Sequence, residues 1–142
     1  MEEIVRYLKI DTRAQLLAER LWHLLEEPND EIIDSFYREM RQSAAGLLVE
    51  ESTIEHLKIR QKEHWRALFT SEFDQQYQRS VTMIGIKHLE IGLDSKWYIA
   101  GYALMKVRLV EKLLESPVPL SMKSALIATL EKYVAIDMAL AL

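Results

Sequence analysis

The chain has 142 residues, the length of one domain, and its 18 basic and 22 acidic residues give a net charge of -4. This charge argues against a strongly basic nucleic-acid-binding protein, and we expect no nucleic-acid partner. Cysteine is absent, which excludes disulfides, thiolate catalysis, zinc fingers and iron–sulfur clusters, and permits the reducing, cytoplasmic location that we expect. No stretch approaches about 18 consecutive apolar residues, so we expect no membrane insertion.

Helix-breaking residues are scarce in this chain. It contains only 4 glycines and 3 prolines, whereas average usage is about 7% and about 5%. A β-rich chain of this size would need many more turn residues. The sequence therefore predicts an all-α domain, packed either as a helix bundle or in a globin-like manner.

Apolar spacing predicts a short N-terminal helical segment, six main helices and no strands. Pro28 separates the first two main helices, an irregular corner surrounds Gly46 in 44–50, and Ser52 with Glu55 predicts a capping box. In chain order the predicted segments are a pre-helix near 2–9, Thr12 (as cap) to about Glu26, a helix starting at Asn29 or Asp30 and carrying Met40, a helix from Ser52 that carries Leu68, about 72–89, Asp94 (as cap) to about Leu114, and about Ser121 to Ala141.

One histidine stands out chemically. His88 follows Val81 and Ile84 on an apolar helical stripe, and a neutral imidazole there needs a partner for each ring nitrogen. Spacing alone leaves two interpretations open: a buried histidine bonded to a carbonyl, or an axial ligand to haem iron. Phosphate-binding loops, His-Glu-x-x-His sites and di-iron carboxylate signatures are absent, so a metal hydrolase is not expected.

The stretch from Val81 to Tyr102, VTMIGIKHLEIGLDSKWYIAGY, carries a long and specific pattern. It resembles the sensor-globin (protoglobin-like) family, the oxygen-sensing domains of bacterial globin-coupled sensors. In that family a proximal haem histidine is followed by Ile-Gly-Leu, a short linker and Trp-Tyr. The runs IIDSFY (32–37), IEHLKIRQKEHWRALF (54–69) and LEKYVAIDMALAL (130–142) resemble the family's second, distal and last globin helices. The resemblance implies a globin-like fold with an extra N-terminal helical segment and a haem pocket.

The resemblance also implies a role for individual residues around haem b. His88 would be the proximal iron ligand, and Tyr37 would donate a hydrogen bond to the gas ligand. Leu57 would shield that ligand from water, and Gln61 would supply a second hydrogen bond or face solvent. Tyr98 would be a hydrogen-bonding neighbour of His88 or a core aromatic with its hydroxyl at the surface. The remaining candidate haem-lining residues are Ile54, Phe69, Val81, Ile84, Ile91 and Trp97.

Other polar residues of the distal run leave alternatives open. His64 shares the face of Leu57 and Gln61, and either His64 or His56 is a candidate second axial ligand. His23 is expected at the surface or in packing. Four basic residues of the stretch 54–69 are expected to form a solvated helix face, and one of them is expected to reach a haem propionate. They are Lys58, Arg60, Lys62 and Arg66.

The last two predicted helices are apolar on more than one side, which predicts a homodimer that packs them as a four-helix bundle with Gly101 at a close approach. The implied function is a non-enzymatic sensor that binds O2, CO or NO at ferrous haem and signals through this dimer. Residues 1–142 are then expected to be the N-terminal domain of a longer protein with a diguanylate cyclase, histidine kinase or chemotaxis-transducer output. The alternatives are a haem-free sensor globin acting as an interaction module and an oxygen-consuming enzyme such as a nitric oxide dioxygenase, for which no flavin or nicotinamide motif is present.

Overall fold

The computed structural model describes residues 1–142 as six α-helices and two short 3-10 helices, with no strand. The prediction of an all-α domain is therefore confirmed. None of the helices is both long enough and apolar enough to span a lipid bilayer. The α-helices are α1 (Glu2–Tyr7), α2 (Thr12–Arg41), α3 (Ile54–Thr70), α4 (Gln75–Glu90), α5 (Ser95–Glu115) and α6 (Leu120–Ala141), and the 3-10 helices are Ala44–Leu48 and Glu51–Thr53.

The predicted break at Pro28 is wrong, because α2 runs through it as one helix of 30 residues. Proline lacks the N–H that would bond to the preceding turn, a cost that usually ends a helix. Here Leu25 on one side of the proline and Ile32 on the other are both almost completely buried. Burial of this apolar stripe on both sides outweighs the lost hydrogen bond. The structure therefore has five long helices and the short α1, where the sequence predicted six long helices.

The helix starts are partly as predicted. Asp94 caps α5, as expected, by accepting a hydrogen bond from the Lys96 amide at 3.1 Å. The cap of α2 is Asp11, whose carboxylate accepts from Ala14 N at 2.9 Å, so the prediction of Thr12 is wrong by one residue. The predicted capping box at Ser52 is also wrong, because a 3-10 helix precedes α3 and no side chain caps it.

Helix α4 begins later than predicted. Asp74 caps it by accepting from the Tyr77 amide at 2.9 Å, and the residue before the cap, Phe73, has a φ of 58°. This left-handed backbone turns the chain between α3 and α4. The Phe73 ring is buried against Tyr133 of α6, with 5.0 Å between ring centroids, which helps to hold the turn.

Helix α2 lies at the centre and packs against α3, α5 and α6. Ion pairs with α3 join Arg66 to Glu26 at 3.2 Å, Lys62 to Asp30 at 2.7 Å and Lys58 to Asp34 at 3.1 Å. The partners advance by one turn on α2 as they recede by one turn on α3, so the two helices are antiparallel. These pairs are largely exposed and contribute little to stability, but they match the register of α3 to that of α2.

Helix α4 packs along α6, and it makes no extensive contact with α3 or α5. The helix that carries His88 is therefore held mainly by the last helix of the chain. The main apolar core lies elsewhere, where α2, α3, α5 and α6 meet around Leu21, Leu68, Leu109 and Leu130, which are essentially inaccessible to solvent.

The outer faces of α5 and α6 retain apolar side chains. Val107 and Leu114 of α5 are 54% and 51% exposed, while Leu109 and Leu113 on the same helix are buried. The predicted close approach of another subunit at Gly101 is not supported, because the α-carbon of Gly101 faces the Phe36 ring of α2 within the same chain.

Candidate functional site

His88 lies in the last turn of α4 and is half-buried. Its Nδ1 atom is buried without a hydrogen-bond partner, and its Nε2 atom makes no hydrogen bond either. Burial lowers the pKa of the imidazole below its ordinary value, which favours the neutral ring. The alternative of a core histidine bonded to a carbonyl is therefore wrong. A neutral imidazole with both nitrogens free is the form in which histidine binds a metal.

The surface around His88 is apolar and partly open. Ile91 and Trp97 are 44% and 36% exposed, and Leu89 beside the histidine is 78% exposed. Ile84, one turn before His88, is half-buried. Exposed apolar side chains around an unpartnered imidazole fit a large, flat apolar group with a metal at its centre, as haem is. The residues present therefore fit the implied cofactor.

Tyr37 occupies the C-terminal part of α2 and is only 8% exposed. Its hydroxyl makes no hydrogen bond within the chain, and its ring packs edge-on against Phe36 with 5.2 Å between centroids. Burial raises the pKa of the phenol to about 12, so Tyr37 keeps its proton at neutral pH. The structure thus gives it a hydroxyl donor that no protein group uses.

Leu57 and Gln61 lie one turn apart on α3, and both are half-buried. The Gln61 Oε1 atom is buried and has no hydrogen-bond partner. The Gln61 side-chain oxygen therefore does not face solvent, which was one of the two alternatives for this residue. An unsatisfied buried amide oxygen is costly, and only a neighbouring group with an N–H or O–H would remove that cost.

The other candidate lining residues divide into two groups. Ile54, Phe69 and Val81 are buried. Phe69 stacks near Trp22 and Trp65, with ring centroids at 6.4 and 5.9 Å, so it belongs to the aromatic core between α2 and α3. Ile84 and Ile91 lie within about one turn of His88 along the chain, Trp97 precedes Tyr98, which packs on His88, and all three remain at least partly accessible.

Tyr98, near the start of α5, packs against the ring of His88 with 4.9 Å between centroids. Its hydroxyl lies 3.0 Å from the Tyr102 hydroxyl, one turn further along the helix. The hydroxyl is hydrogen-bonded inside the protein, although not to His88.

Asp137 is the site residue that sequence reasoning missed. This α6 carboxylate has no solvent exposure, and it accepts hydrogen bonds from His64 Nε2, at 2.9 Å to each oxygen, and from the Tyr77 and Tyr102 hydroxyls. Burial, followed by the charge of Asp137, raises the pKa of both tyrosines far above the ordinary value, so both stay protonated. The available signal was a single acid in the otherwise apolar run from Val134 to Leu142.

The remaining histidines and cations are accounted for individually. His64 is bound to Asp137 and so is not free to act as a second axial ligand, while His56 and His23 are exposed. Of the four basic residues on α3, only Arg60 lacks an ion pair. Arg60 is thus the one cation of that group free to meet an anionic ligand.

Comparison with known proteins gives consistent results. The family model described as Protoglobin matches residues 1–142. The globin domain of the Geobacter sulfurreducens globin-coupled sensor is similar in structure, with a TM-score of 0.89 at 19% identity, covering 99% of this chain and 94% of that one. The globin domain of E. coli DosC, in a form titled ferric, gives a TM-score of 0.83 at 15% identity, covering 99% and 95%. A second DosC form, titled ferrous, gives 0.84 at the same identity and coverage.

Proposed function

Since this chain belongs to the Protoglobin family, we propose that it is a haem-based gas sensor domain, with His88 as the proximal ligand to the iron of haem b. The observation that carries the proposal is the imidazole of His88, which is half-buried, without a hydrogen bond and surrounded by accessible apolar side chains. A histidine kept only for packing would have partners for its nitrogens. The globin-like fold supports the same role.

Ferrous haem b would supply a coordination position for O2, CO or NO. The Tyr37 hydroxyl would donate a hydrogen bond to the gas, and the side-chain NH2 group of Gln61 would contribute a second one. Leu57 would exclude water from the ligand. Ile84, Ile91 and Trp97 would contact the apolar faces of the porphyrin, and Arg60 would pair with a propionate.

Signal transmission is proposed to run through a homodimer formed by α5 and α6. Exposed Val107 and Leu114 of α5 support this interface, since apolar side chains on an outer helix face favour association. Gas binding would shift α4 and, through its packing on α6, the arrangement of the dimer helices. An output domain after α6 would detect that change, and the globin domain itself would catalyse no reaction.

Absorption spectroscopy of the purified chain supplied with haem tests the proposal. A Soret band that shifts when O2 or CO is added to the ferrous protein, and that disappears in His88→Ala, is the expected result. His56→Ala is the matched control, because His56 lies exposed on α3 and should leave the spectrum unchanged. Folded, helical protein with no Soret band would instead identify a haem-free sensor globin whose function lies in protein interactions.

The dimer is tested separately by sedimentation velocity. Charged substitutions at the exposed apolar positions, Val107→Glu with Leu114→Glu, should produce monomers with an unchanged helical content. Lys96→Glu is a control for charge alone on the same helix, because Lys96 is exposed and forms no ion pair. A wild-type chain that sediments as a monomer at high concentration would contradict the proposed interface.

A further inference from the structure

Four helices meet at one carboxylate. Asp137 of α6 is contacted by His64 from α3, Tyr77 from α4 and Tyr102 from α5. No other buried polar group joins so many elements, and the carboxylate is completely removed from solvent. A buried carboxylate is retained only when hydrogen bonds compensate for lost hydration. Asp137 thus fixes the position of each side chain that donates to it.

The carboxylate also fixes the direction of a chain of hydrogen bonds. Tyr102 has one hydroxyl proton, and it donates that proton to Asp137 Oδ2. In the 3.0 Å contact between the two hydroxyls, Tyr98 must therefore be the donor and Tyr102 the acceptor. The Tyr98 oxygen is then left with lone pairs and no proton to donate. It acts only as an acceptor towards any further neighbour.

That neighbour is His88, whose ring packs against Tyr98 at 4.9 Å between centroids and whose buried Nδ1 has no partner. A histidine that binds a metal through Nε2 carries its proton on Nδ1, and an acceptor for this proton strengthens the histidine as a ligand. The Nδ1–H of His88 lacks an acceptor, and the Tyr98 oxygen can accept a proton but has none left to donate, so the two groups are complementary. If Tyr102 donated to Tyr98 instead, the Tyr98 hydroxyl proton would point towards the Nδ1 proton of His88, and the two protons would repel each other.

We propose that Asp137 is a positioning residue for His88. Acting through Tyr102 and Tyr98, it orients the Tyr98 oxygen to accept the proton on Nδ1 and so sets the strength of the bond between His88 and the iron. This inference rests on the proposed function. It connects the proximal ligand to α6 through two hydrogen bonds that the structure contains, from Tyr98 to Tyr102 and from Tyr102 to Asp137, and a third, from Nδ1 to Tyr98, that would form when His88 holds the iron. By linkage, a position of α6 that favours gas binding is itself favoured by gas binding to the same extent in free energy.

The test measures the iron–histidine stretching frequency of the ferrous, gas-free protein by resonance Raman spectroscopy. Asp137→Asn, Tyr102→Phe and Tyr98→Phe should each lower the frequency, because His88 then lacks an oriented acceptor. The double variant Asp137→Asn with Tyr98→Phe should lower the stretching frequency no further than the more effective of the two single substitutions does. Both substitutions interrupt the same series of hydrogen bonds, so their effects should not add. Tyr102→Phe keeps the test decisive if Asp137→Asn fails to fold.

Tyr77→Phe is the matched control. It removes a hydroxyl from the same carboxylate, but Tyr77 is not on the path to His88. Tyr77→Phe and Tyr102→Phe should lower the free energy of unfolding, while only Tyr102→Phe lowers the stretching frequency. If both variants lower the frequency equally, or neither does, Asp137 has a structural role only and the inference is wrong.

A haem-free measurement separates this inference from the proposed function. In the apoprotein, proton NMR should show hydroxyl resonances of Tyr98 and Tyr102 at low field and protected from exchange. Asp137→Asn should move both upfield. If haem never binds but these resonances behave as described, the proposed function fails while the ordered chain of hydrogen bonds stands. If the Tyr98 resonance does not respond, the chain is wrong whether or not haem binds.

Discussion

The α-carbon of Gly85 lies against the main-chain carbonyl of Ala141, where α4 crosses the end of α6. A Cβ atom at position 85 would overlap the Ala141 oxygen and lie 3.0 Å from its carbonyl carbon and 3.2 Å from its Cα. Glycine within a helix costs up to about 1 kcal/mol relative to alanine. The close contact between α4 and the Ala141 main chain explains why glycine occupies position 85 in spite of that cost. Because Gly85 precedes His88 by one turn, the proximal end of α4 is fitted directly to the last turn of the chain.

Replacing Gly85 with alanine should therefore push α4 away from α6. We expect the free energy of unfolding to fall by about 1–3 kcal/mol, the usual cost of overpacking a tight contact. Urea denaturation followed by far-ultraviolet ellipticity measures the change.

Gly101→Ala is the matched control for that substitution. A Cβ there would meet only the Phe36 side chain, at 3.4 Å, and alanine is the better helix former. Gly101→Ala should leave stability unchanged or raise it by up to about 1 kcal/mol. Equal losses in the two variants would show that the contact with Ala141 is not the reason for glycine at position 85.

The sequence predicted correctly those features of the fold that neighbouring residues determine. The cap at Asp94 and the all-α class follow from nearby residues, and both are confirmed. The continuous helix through Pro28 was not predictable, because its cause is burial of Leu25 and Ile32 against helices distant in sequence.

The Asp137 cluster was not predictable for the same reason. Its members come from four helices, and neither periodicity nor spacing relates residues 64, 77, 102 and 137 to one another. The pattern around His88 could be recognised because that motif is continuous in sequence. How the imidazole is partnered depends on tertiary packing and required the structure.

His88 should contribute nothing to the stability of the haem-free protein. Its Nδ1 atom is buried and unpaired, and an unsatisfied buried polar group costs about 1–3 kcal/mol. His88→Leu should therefore leave the free energy of unfolding of the apoprotein unchanged or raise it by about 1 kcal/mol. Chemical denaturation of the apoprotein gives the comparison.

His64→Leu is the same substitution at a histidine that is hydrogen-bonded to the buried Asp137. Because it leaves that carboxylate short of a donor, it should cost about 1.5–3 kcal/mol. A substantial loss in His88→Leu as well would mean that His88 is a structural residue, contrary to its assignment as a ligand.

Alkaline pH should unfold the protein cooperatively. Burial raises the pKa of Tyr37, Tyr98 and Tyr133 from 10.0 to about 12, and the pKa values of Tyr77 and Tyr102 are raised further. Above pH 10 the unfolded chain therefore loses protons that the folded chain keeps, so stability falls as pH rises. Each tyrosine contributes about 1.4 kcal/mol per pH unit within that window.

Tyrosinate absorbance and far-ultraviolet ellipticity, followed together against pH, check this expectation. The tyrosinate signal of the buried residues should appear with the loss of helix and not before it. Tyr133→Phe removes one of the five groups and should make the alkaline decline less steep. Ionisation of these tyrosines well below the pH at which helix is lost would contradict the burial that the structure gives them.

Tyr37→Phe should accelerate the release of oxygen from the haem-loaded domain. The Tyr37 side chain is only 8% exposed and makes no hydrogen bond within the chain, so its hydroxyl is available as a donor to a gas ligand. One hydrogen bond of about 1 kcal/mol, or about 1.5–3 kcal/mol to a charged acceptor, corresponds to a roughly 5- to 150-fold faster dissociation. Stopped-flow mixing of the oxygenated protein with CO measures that rate.

Two comparisons make the Tyr37 result specific. CO accepts hydrogen bonds poorly, so its dissociation rate should change much less than that of oxygen in the same variant. Tyr7→Phe, at a tyrosine that is 84% exposed on α1, should change neither rate. Because the raised pKa of about 12 keeps Tyr37 protonated, the wild-type oxygen dissociation rate should also stay constant from neutral pH to the onset of alkaline unfolding. An oxygen dissociation rate unaltered by Tyr37→Phe would remove Tyr37 from the distal site and leave Gln61 as the remaining donor.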